Sequence, residues 1–315
     1  MRVAIVAEDR AGVHRLALAA ADAGADVRVL VVGRGTWAAP RLALALRRLQ
    51  RRWPHDLVHA QHAADLVRRA RGDRPLVVSS GAADASAAPA VLAAARLVLA
   101  DSRAAAERCL ALGARAARVV HPGTDLPEAP AVHDGPPRLV TVADLVPSKR
   151  HADVLRALWL LRDAQPEVTW DVYGDGPERP ELERLAAELG IADRVTLHGQ
   201  RVPEPGGTVF VLPSVDEAFG VAYVEALACG VPAIGCRGED GPEEIAAAGP
   251  GMRLVAPADP EALARELDGM LSDPPWRARL AAEARATVAE HFTWEACGRA
   301  TVDAYAQAMN GRASG

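Results

Sequence analysis

Two glutamates with seven residues between them, Glu217 and Glu225, flank Gly220 in the run PSVDEAFGVAYVEALACGVPAIG, residues 213–235. An apolar stretch at 209–212 ends in a Pro-Ser turn, and a second begins at Val231, so the run reads as strand, loop, helix, strand. Gly220 stands where the loop becomes the helix. The first N–H groups there, on Gly220, Val221 and Ala222, would face out of a positive helix end, which suits a phosphate. Glu225 falls in the second turn of a helix that is apolar nearly all round, so a buried carboxylate is expected, costly unless something donates to it. Glu217 lies just before the helix, beside the same mouth. Neither carboxylate suits a phosphate, but each can accept two hydroxyl hydrogen bonds, as a sugar or ribose diol offers. Phosphate on the helix end and diols on the acids together describe a sugar nucleotide. Of 36 basic residues only Lys149 is lysine. A chain that otherwise writes arginine and places one lysine in a loop points to a need for a compact ammonium there.

Short apolar strands at 2–7, 27–32, 56–60, 76–79, 97–100 and 118–121 alternate with alanine-rich helices. That alternation predicts right-handed crossovers and a parallel sheet, an α/β doubly wound domain over residues 1–127. Residues 128–137, EAPAVHDGPP, have the composition of a linker. A second domain is expected over 138–291. A last helix begins near Thr293, with Glu295 in its first turn, and residues 292–315 hold that helix and a tail. Gly33 and Gly35 follow a strand but lack the third glycine of a dinucleotide fingerprint, so no NAD site is expected.

The spacing Glu217-x7-Glu225 inside EAFGVAYVEALACGVPAIG resembles the signature of the retaining glycosyltransferases of family 4, the glycosyl transferases group 1. The resemblance implies a GT-B fold: two Rossmann-like doubly wound domains facing a central cleft, with the last helix crossing back to the first domain. It implies transfer of a sugar from a nucleotide-diphosphate donor, UDP-linked before GDP-linked, to a hydroxyl of an acceptor, with retained configuration and no metal. By the same resemblance Lys149 grips the donor diphosphate, Glu217 holds the transferred sugar and Glu225 holds the ribose. Donor-side positions further include Arg150, Gly174 and Gly176 in YGDGPE, His198-Gly199, Arg201 and Val202 in HGQRV, and Phe219 to Ala222. Acceptor-side candidates are Gly12, His59, His62 and Ser80. Two departures stand out. Asp144 occupies the place of the usual diphosphate-binding arginine, with Arg150 as a substitute source of charge. The loop after the fourth strand, VVSSGAADAS, lacks the usual histidine. These departures keep a catalytically silent nucleotide-sugar-binding subunit in view, beside a same-fold epimerase or hydrolase.

The bulk properties narrow the field. No run of eighteen apolar residues and no secretory pattern occur, so a cytoplasmic protein is expected. Cys109, Cys229, Cys236 and Cys297 lack metal-ligand or CxxC spacing and read as free thiols. The net charge of -5 divides into +7 over residues 1–130 (19 Arg, 12 acids) and -12 over the rest (17 basic, 29 acidic). Within the basic half, residues 41–53 (RLALALRRLQRRW) set Leu42, Leu46 and Leu49 against Arg47, Arg48, Arg51 and Arg52. This is either a core-facing helix or, as the resemblance allows, a weak peripheral membrane contact. No nucleic-acid partner is expected. The partners are a nucleotide-sugar donor and a small-molecule or glycan acceptor.

Overall fold

The computed structural model describes residues 1–7, 11–32, 38–61, 64–80, 89–131, 133–201 and 206–310. The chain divides into two compact units, Met1–Gly123 with Phe292–Gly315, and Thr124–His291. Unit 1 carries β1 (Arg2–Ala7), α1 (Ala11–Asp22), β2 (Asp26–Val31), α2 (Ala38–Arg52), β3 (Leu57–Gln61) and α3 (Ala64–Ala70). It continues through β4 (Leu76–Ser80), α4 (Pro89–Ala94), β5 (Leu97–Ala100), α5 (Arg103–Ala111) and β6 (Ala117–Val119). Unit 2 holds β7 (Arg138–Val142), α6 (His151–Leu160), β8 (Thr169–Tyr173), α7 (Arg179–Glu188), β9 (Val195–Gly199) and β10 (Val209–Val211). It closes with α8 (Val221–Ala228), β11 (Ala233–Cys236), α9 (Asp240–Ala248), β12 (Met252–Val255), α10 (Pro260–Ser272) and α11 (Pro274–His291). The last helix, α12 (Trp294–Asn310), returns to unit 1.

Both sheets are six-stranded and parallel, so this is a two-domain α/β fold. The central strands are near-continuous apolar runs because helices cover both faces, whereas the edge strand β2 is largely exposed. In β1, every residue from Val3 to Ala7 is buried. One face of the unit 1 sheet packs on α2 through Leu42 and Leu46, and the other on α1 and α12 through Ala304, Tyr305 and Ala308. The apolar face of α2 is thereby used inside the unit, with Leu42 and Leu46 buried. In unit 2 a large core on one face of the sheet surrounds Trp170, whose indole Nε1 donates to Thr141 Oγ1 at 2.9 Å, and Phe210 and Tyr223 meet edge to face elsewhere in the unit. No described helix is long and apolar enough to cross a membrane.

Strand order places the ligand positions. In unit 2 the order is β12-β11-β10-β7-β8-β9. The first strand, β7, lies beside the fourth, β10, and the connections leave in opposite directions from that pair. In open α/β sheets the crevice at such a switch point, at the carboxyl ends of the strands, is where ligands bind. The loops there are 143–150 and 212–220. In unit 1 the order β2-β1-β3-β4-β5-β6 reverses between β1 and β3. Gly12 opens α1 just beyond β1, and Gln61 ends β3.

Candidate functional site

The unit 2 switch point brings Lys149 and Glu217 together although 68 residues separate them. Lys149 ends a 3-10 turn, Pro147–Lys149, and Glu217 lies in the loop between β10 and α8. The Lys149 ammonium donates to Glu217 Oε2 at 2.6 Å, with both side chains largely enclosed. Backbone contact holds the two loops in register: Val215 N–H donates to the Ser148 carbonyl at 2.8 Å. Glu217 is fixed from two further sides. Ser214 Oγ donates to its Oε2 at 3.0 Å, and its own N–H donates to the Glu239 carboxylate at 2.9 Å. Ser214 is in turn seated against the Tyr223 hydroxyl, which donates to the Leu212 carbonyl.

Gly220 is the cap of α8 and adopts φ 84°, a left-handed conformation that favours glycine. A Cβ there would also meet the Tyr223 ring at 2.3 Å. With no cap side chain, nothing on Gly220 covers the first turn, so the helix mouth offers its N–H groups. Phe219 is buried and anchors the loop, while Val221 is exposed at the mouth and Ala222 is half-buried.

Glu225 corrects an expectation. Its helix is not buried all round: Tyr223, Val224, Leu227 and Ala228 face the core, whereas Val221 and Glu225, one turn apart, are exposed. The carboxylate therefore needs no internal donor. Partial desolvation, with the Asp125 carboxylate behind it, raises its pKa above the ordinary glutamate value.

Arg150 is committed elsewhere. Its Nε donates to Asp153 Oδ2 at 2.6 Å, and Asp153 is shared with Arg156. Asp144 is exposed, and Gln200 Nε2 lies 3.5 Å from its Oδ1. Gly174 and Gly176 let the 143–145 backbone sit directly on the loop after β8. Cβ atoms there would meet the Ala143 and Leu145 carbonyl oxygens at 1.9 and 2.4 Å. Gly199 accepts from Gly174 N–H at 2.9 Å, and His198 stacks on Tyr173 with ring centroids 4.5 Å apart. Arg201 is exposed at the end of this turn. Val202 lies outside the described residues.

On unit 1, the acceptor-side reading of His59 does not hold. The ring is fully enclosed, with Nδ1 2.7 Å from the Tyr305 hydroxyl and Nε2 2.8 Å from Ser79 Oγ. Burial alone lowers its pKa to about 3, so it is a neutral core histidine that fastens α12 to β3 and β4. Gly12 lies in the first turn of α1 and Ser80 ends β4. His62 lies outside the described residues, as do Gly33 and Gly35. All four cysteines are free. Among the described residues no three His, Cys, Asp or Glu side chains converge as metal ligands would.

Ser214, Tyr223 and Glu239 were not anticipated as parts of the site. The Pro-Ser pair read only as a turn.

Two parallel-sheet units, each with its own switch point, define a two-domain, doubly wound α/β class of protein. Comparison narrows it. Residues 124–287 match the glycosyl transferases group 1 sequence family. A D-inositol 3-phosphate glycosyltransferase of Streptomyces avermitilis is 32% identical over 290 residues, covering 82% of this chain and 61% of that protein. One of the same name from Xylanimonas cellulosilytica is 33% identical over 303 residues, covering 83% and 68%. The crystal structure of Anabaena HepE in complex with UDP and glucose superposes with a TM-score of 0.77 at 21% identity, covering 98% of this chain and 100% of that one. The chain belongs to the glycosyl transferases group 1 family and has the GT-B type of fold. It spans about 61% of the length of the Streptomyces relative.

Proposed function

We propose that the chain moves a sugar from a nucleotide-diphosphate donor, UDP-linked before GDP-linked, to an acceptor hydroxyl with retention of configuration. The observation that carries this is the Lys149–Glu217 contact of 2.6 Å beside the open first turn of α8. Lys149 and the α8 mouth are a cation and a dipole aimed at one place, suited to the charge that grows on a departing diphosphate. Glu225, exposed one turn further on, takes the ribose diol. Glu217, held by Ser214 and oriented through Glu239, takes hydroxyls of the transferred sugar. Donor binding exchanges partners: the Lys149 ammonium passes from Glu217 to phosphate, and Glu217 is freed to accept from the sugar. In the reaction the anomeric carbon to phosphate oxygen bond breaks, a bond to the acceptor oxygen forms on the same face, and the acceptor proton leaves on the departing phosphate. No metal is assigned a role. Unit 1 holds the acceptor, with Gly12, His62 and Ser80 on its side and a polyol phosphate as the first class to try, given the names of the relatives. A cytoplasmic setting fits a soluble nucleotide-sugar donor.

Asp144 favours a second reading, a nucleotide-sugar-binding subunit without turnover, because an acid replaces a phosphate-binding arginine. Thermal denaturation with UDP, GDP and their sugars tests donor binding, and product formation with an acceptor panel tests turnover. A nucleotide at 100 times its Kd should stabilise unit 2 by about 2.7 kcal/mol. Lys149→Ala and Glu225→Ala should each reduce that shift, and Lys149→Ala should lower kcat by about 100- to 1,000-fold. Binding without any product would select the second reading. Indifference to every nucleotide would remove both.

A further inference from the structure

The loop that carries Glu217 rests on the start of α9. Asp216 adopts φ 60°, which turns the next peptide out of its own loop, and the Glu217 N–H meets Glu239 Oε2 at 2.9 Å. Two residues further on, the Phe219 backbone is pressed against Gly241 in the first turn of α9. A Cβ on Gly241 would meet the Phe219 carbonyl oxygen at 2.1 Å, so a glycine is required for the two backbones to touch.

Glu239 is itself braced from behind. Arg237 N–H donates to the Val255 carbonyl at 2.8 Å, which ties the segment to β12. Gly238 takes φ 83°, and its N–H donates to Glu243 Oε1 at 2.9 Å. Glu243 N–H donates in turn to the Glu239 carbonyl at 3.0 Å. The use of the Glu239 side chain is unusual for its place. It stands at the cap of α9, where a side-chain oxygen ordinarily accepts from the first turn of its own helix, yet it makes no such bond. It is half-buried and paired with no cation among the described residues. Its one side-chain bond is the charge-assisted one to the Glu217 N–H. A positive φ at a non-glycine residue persists only where the surroundings impose it, and this bond holds the 216–217 peptide in that turn.

We infer that Glu239 is a positioning residue that determines sugar specificity: by fixing the Glu217 peptide it sets where the Glu217 carboxylate points, and so which sugar hydroxyls that carboxylate can meet. The inference rests on the transferase reading, in which Glu217 holds the transferred sugar. Lys149 and Ser214 bind the far end of the Glu217 side chain. When Lys149 passes to the diphosphate, the backbone bond to Glu239 becomes a larger share of what keeps the carboxylate in place. Glu239 makes no hydrogen bond to Lys149 or to the first turn of α8, so the nucleotide and the sugar respond to it separately. Epimeric sugars differ in the direction of one hydroxyl, and a site built to pair with that hydroxyl rejects the sugar that misplaces it.

The test uses the full chain. Calorimetry compares UDP with UDP-glucose and UDP-galactose, and GDP with GDP-mannose, in the wild type, Glu239→Ala and Glu239→Gln. The sugar increment is the ratio of the nucleotide's Kd to that of its best sugar nucleotide. It should fall about tenfold in Glu239→Ala, as the loss of one hydrogen bond to a charged group allows, and the preference between the sugar epimers should narrow with it. The nucleotide alone should stay within about twofold, because its phosphates are held by Lys149 and the α8 mouth. Glu239→Gln keeps a carbonyl acceptor and should restore most of the increment. In a Glu217→Ala chain, Glu239→Ala should cost nothing further, since Glu239 acts through Glu217. With no ligand present, the Glu217 amide proton should move upfield and exchange faster in Glu239→Ala, and thermal transitions check that each variant is folded. An unmoved Glu217 amide, no sugar increment in the wild type, additive losses in the double variant, or a nucleotide weakened in step with its sugars would overturn the inference and leave the transferase reading in place. Indifference of the wild type to every nucleotide would remove that reading and this inference with it.

Discussion

Lys149 and Glu217 each have a neighbour in an unusual backbone state. Arg150 (φ 55°) and Asp216 (φ 60°) are two of the three non-glycine residues with positive φ among the described residues. Strain of this kind, on the order of 1–3 kcal/mol per residue, collects at functional sites because the surroundings must impose it. Here the imposed result is a pair of loops that deliver a cation and a carboxylate to one point. Under the proposed function the contact also competes with the donor, since a diphosphate would have to take Lys149 from Glu217. Glu217→Gln should therefore separate two quantities. UDP should bind several-fold tighter, because removing a partly screened charge near the phosphates relieves on the order of 1 kcal/mol. Sugar transfer should fall, because the amide accepts less well from the sugar hydroxyls. Calorimetry with UDP beside initial rates measures both, and weaker UDP binding would contradict the exchange of partners. Lys149 was legible in the sequence through its usage, and Glu217 through its spacing from Glu225. Ser214 and Tyr223 were not, because a serine in a turn and a tyrosine in an apolar helix have ordinary explanations until the turn and helix are folded against each other.

The helices show why reading composition without phase misplaces a side chain. α8 has a high apolar content, yet Val221 and Glu225 share one face and Tyr223, Val224, Leu227 and Ala228 another. The 3.6-residue period was present in the sequence and places Glu225 at the surface. His59 is the converse case. It sits in a strand covered on both faces, where a histidine is enclosed whatever its chemistry, and its partner Tyr305 is 246 residues away and invisible to local reading. Tyr305→Phe leaves one ring nitrogen of His59 without a partner and should cost about 1–3 kcal/mol. Urea denaturation checks this, and donor binding by unit 2 should be unchanged. The strands of unit 1 were legible to within a residue or two because short apolar runs alternate there with alanine-rich helices, whereas β9 and β12 of unit 2 were not read as strands.

Acid stability belongs to the molecule as a whole, since each unit buries a histidine. Burial lowers His59 to about 3, and burial with the Lys149 charge lowers His151 to about 4. Both folded values lie below the unfolded value near 6.5, so the unfolded chain takes up these protons first. Stability from each is complete above pH 6.5 and is lost as pH falls toward the folded pKa, at up to about 1.4 kcal/mol per pH unit per histidine. Denaturation midpoints between pH 7.5 and 5 should fall accordingly, less steeply in His59→Asn. A flat profile would contradict the neutral assignments. Metal removal is a separate check: transfer should persist in excess EDTA. Strand order was not legible, because pairing between β7 and β10 is decided by packing across some 70 residues, and with it went the switch point that explains why Lys149 and Glu217 meet.

The return of α12 to unit 1 bears on how the chain is made. Synthesis proceeds from the amino end, and domains generally fold as units as they emerge. Thr124–His291 is continuous and can close while translation is still under way, but one face of the first sheet keeps Val3, Ile5 and Leu57 without Ala304, Tyr305 and Ala308 until the last helix leaves the ribosome. β1 is thus made well before it is sealed. A nascent chain arrested before Phe292 should carry a finished second unit beside a protease-sensitive first one, so that resistance of the first unit to degradation waits on the synthesis of α12.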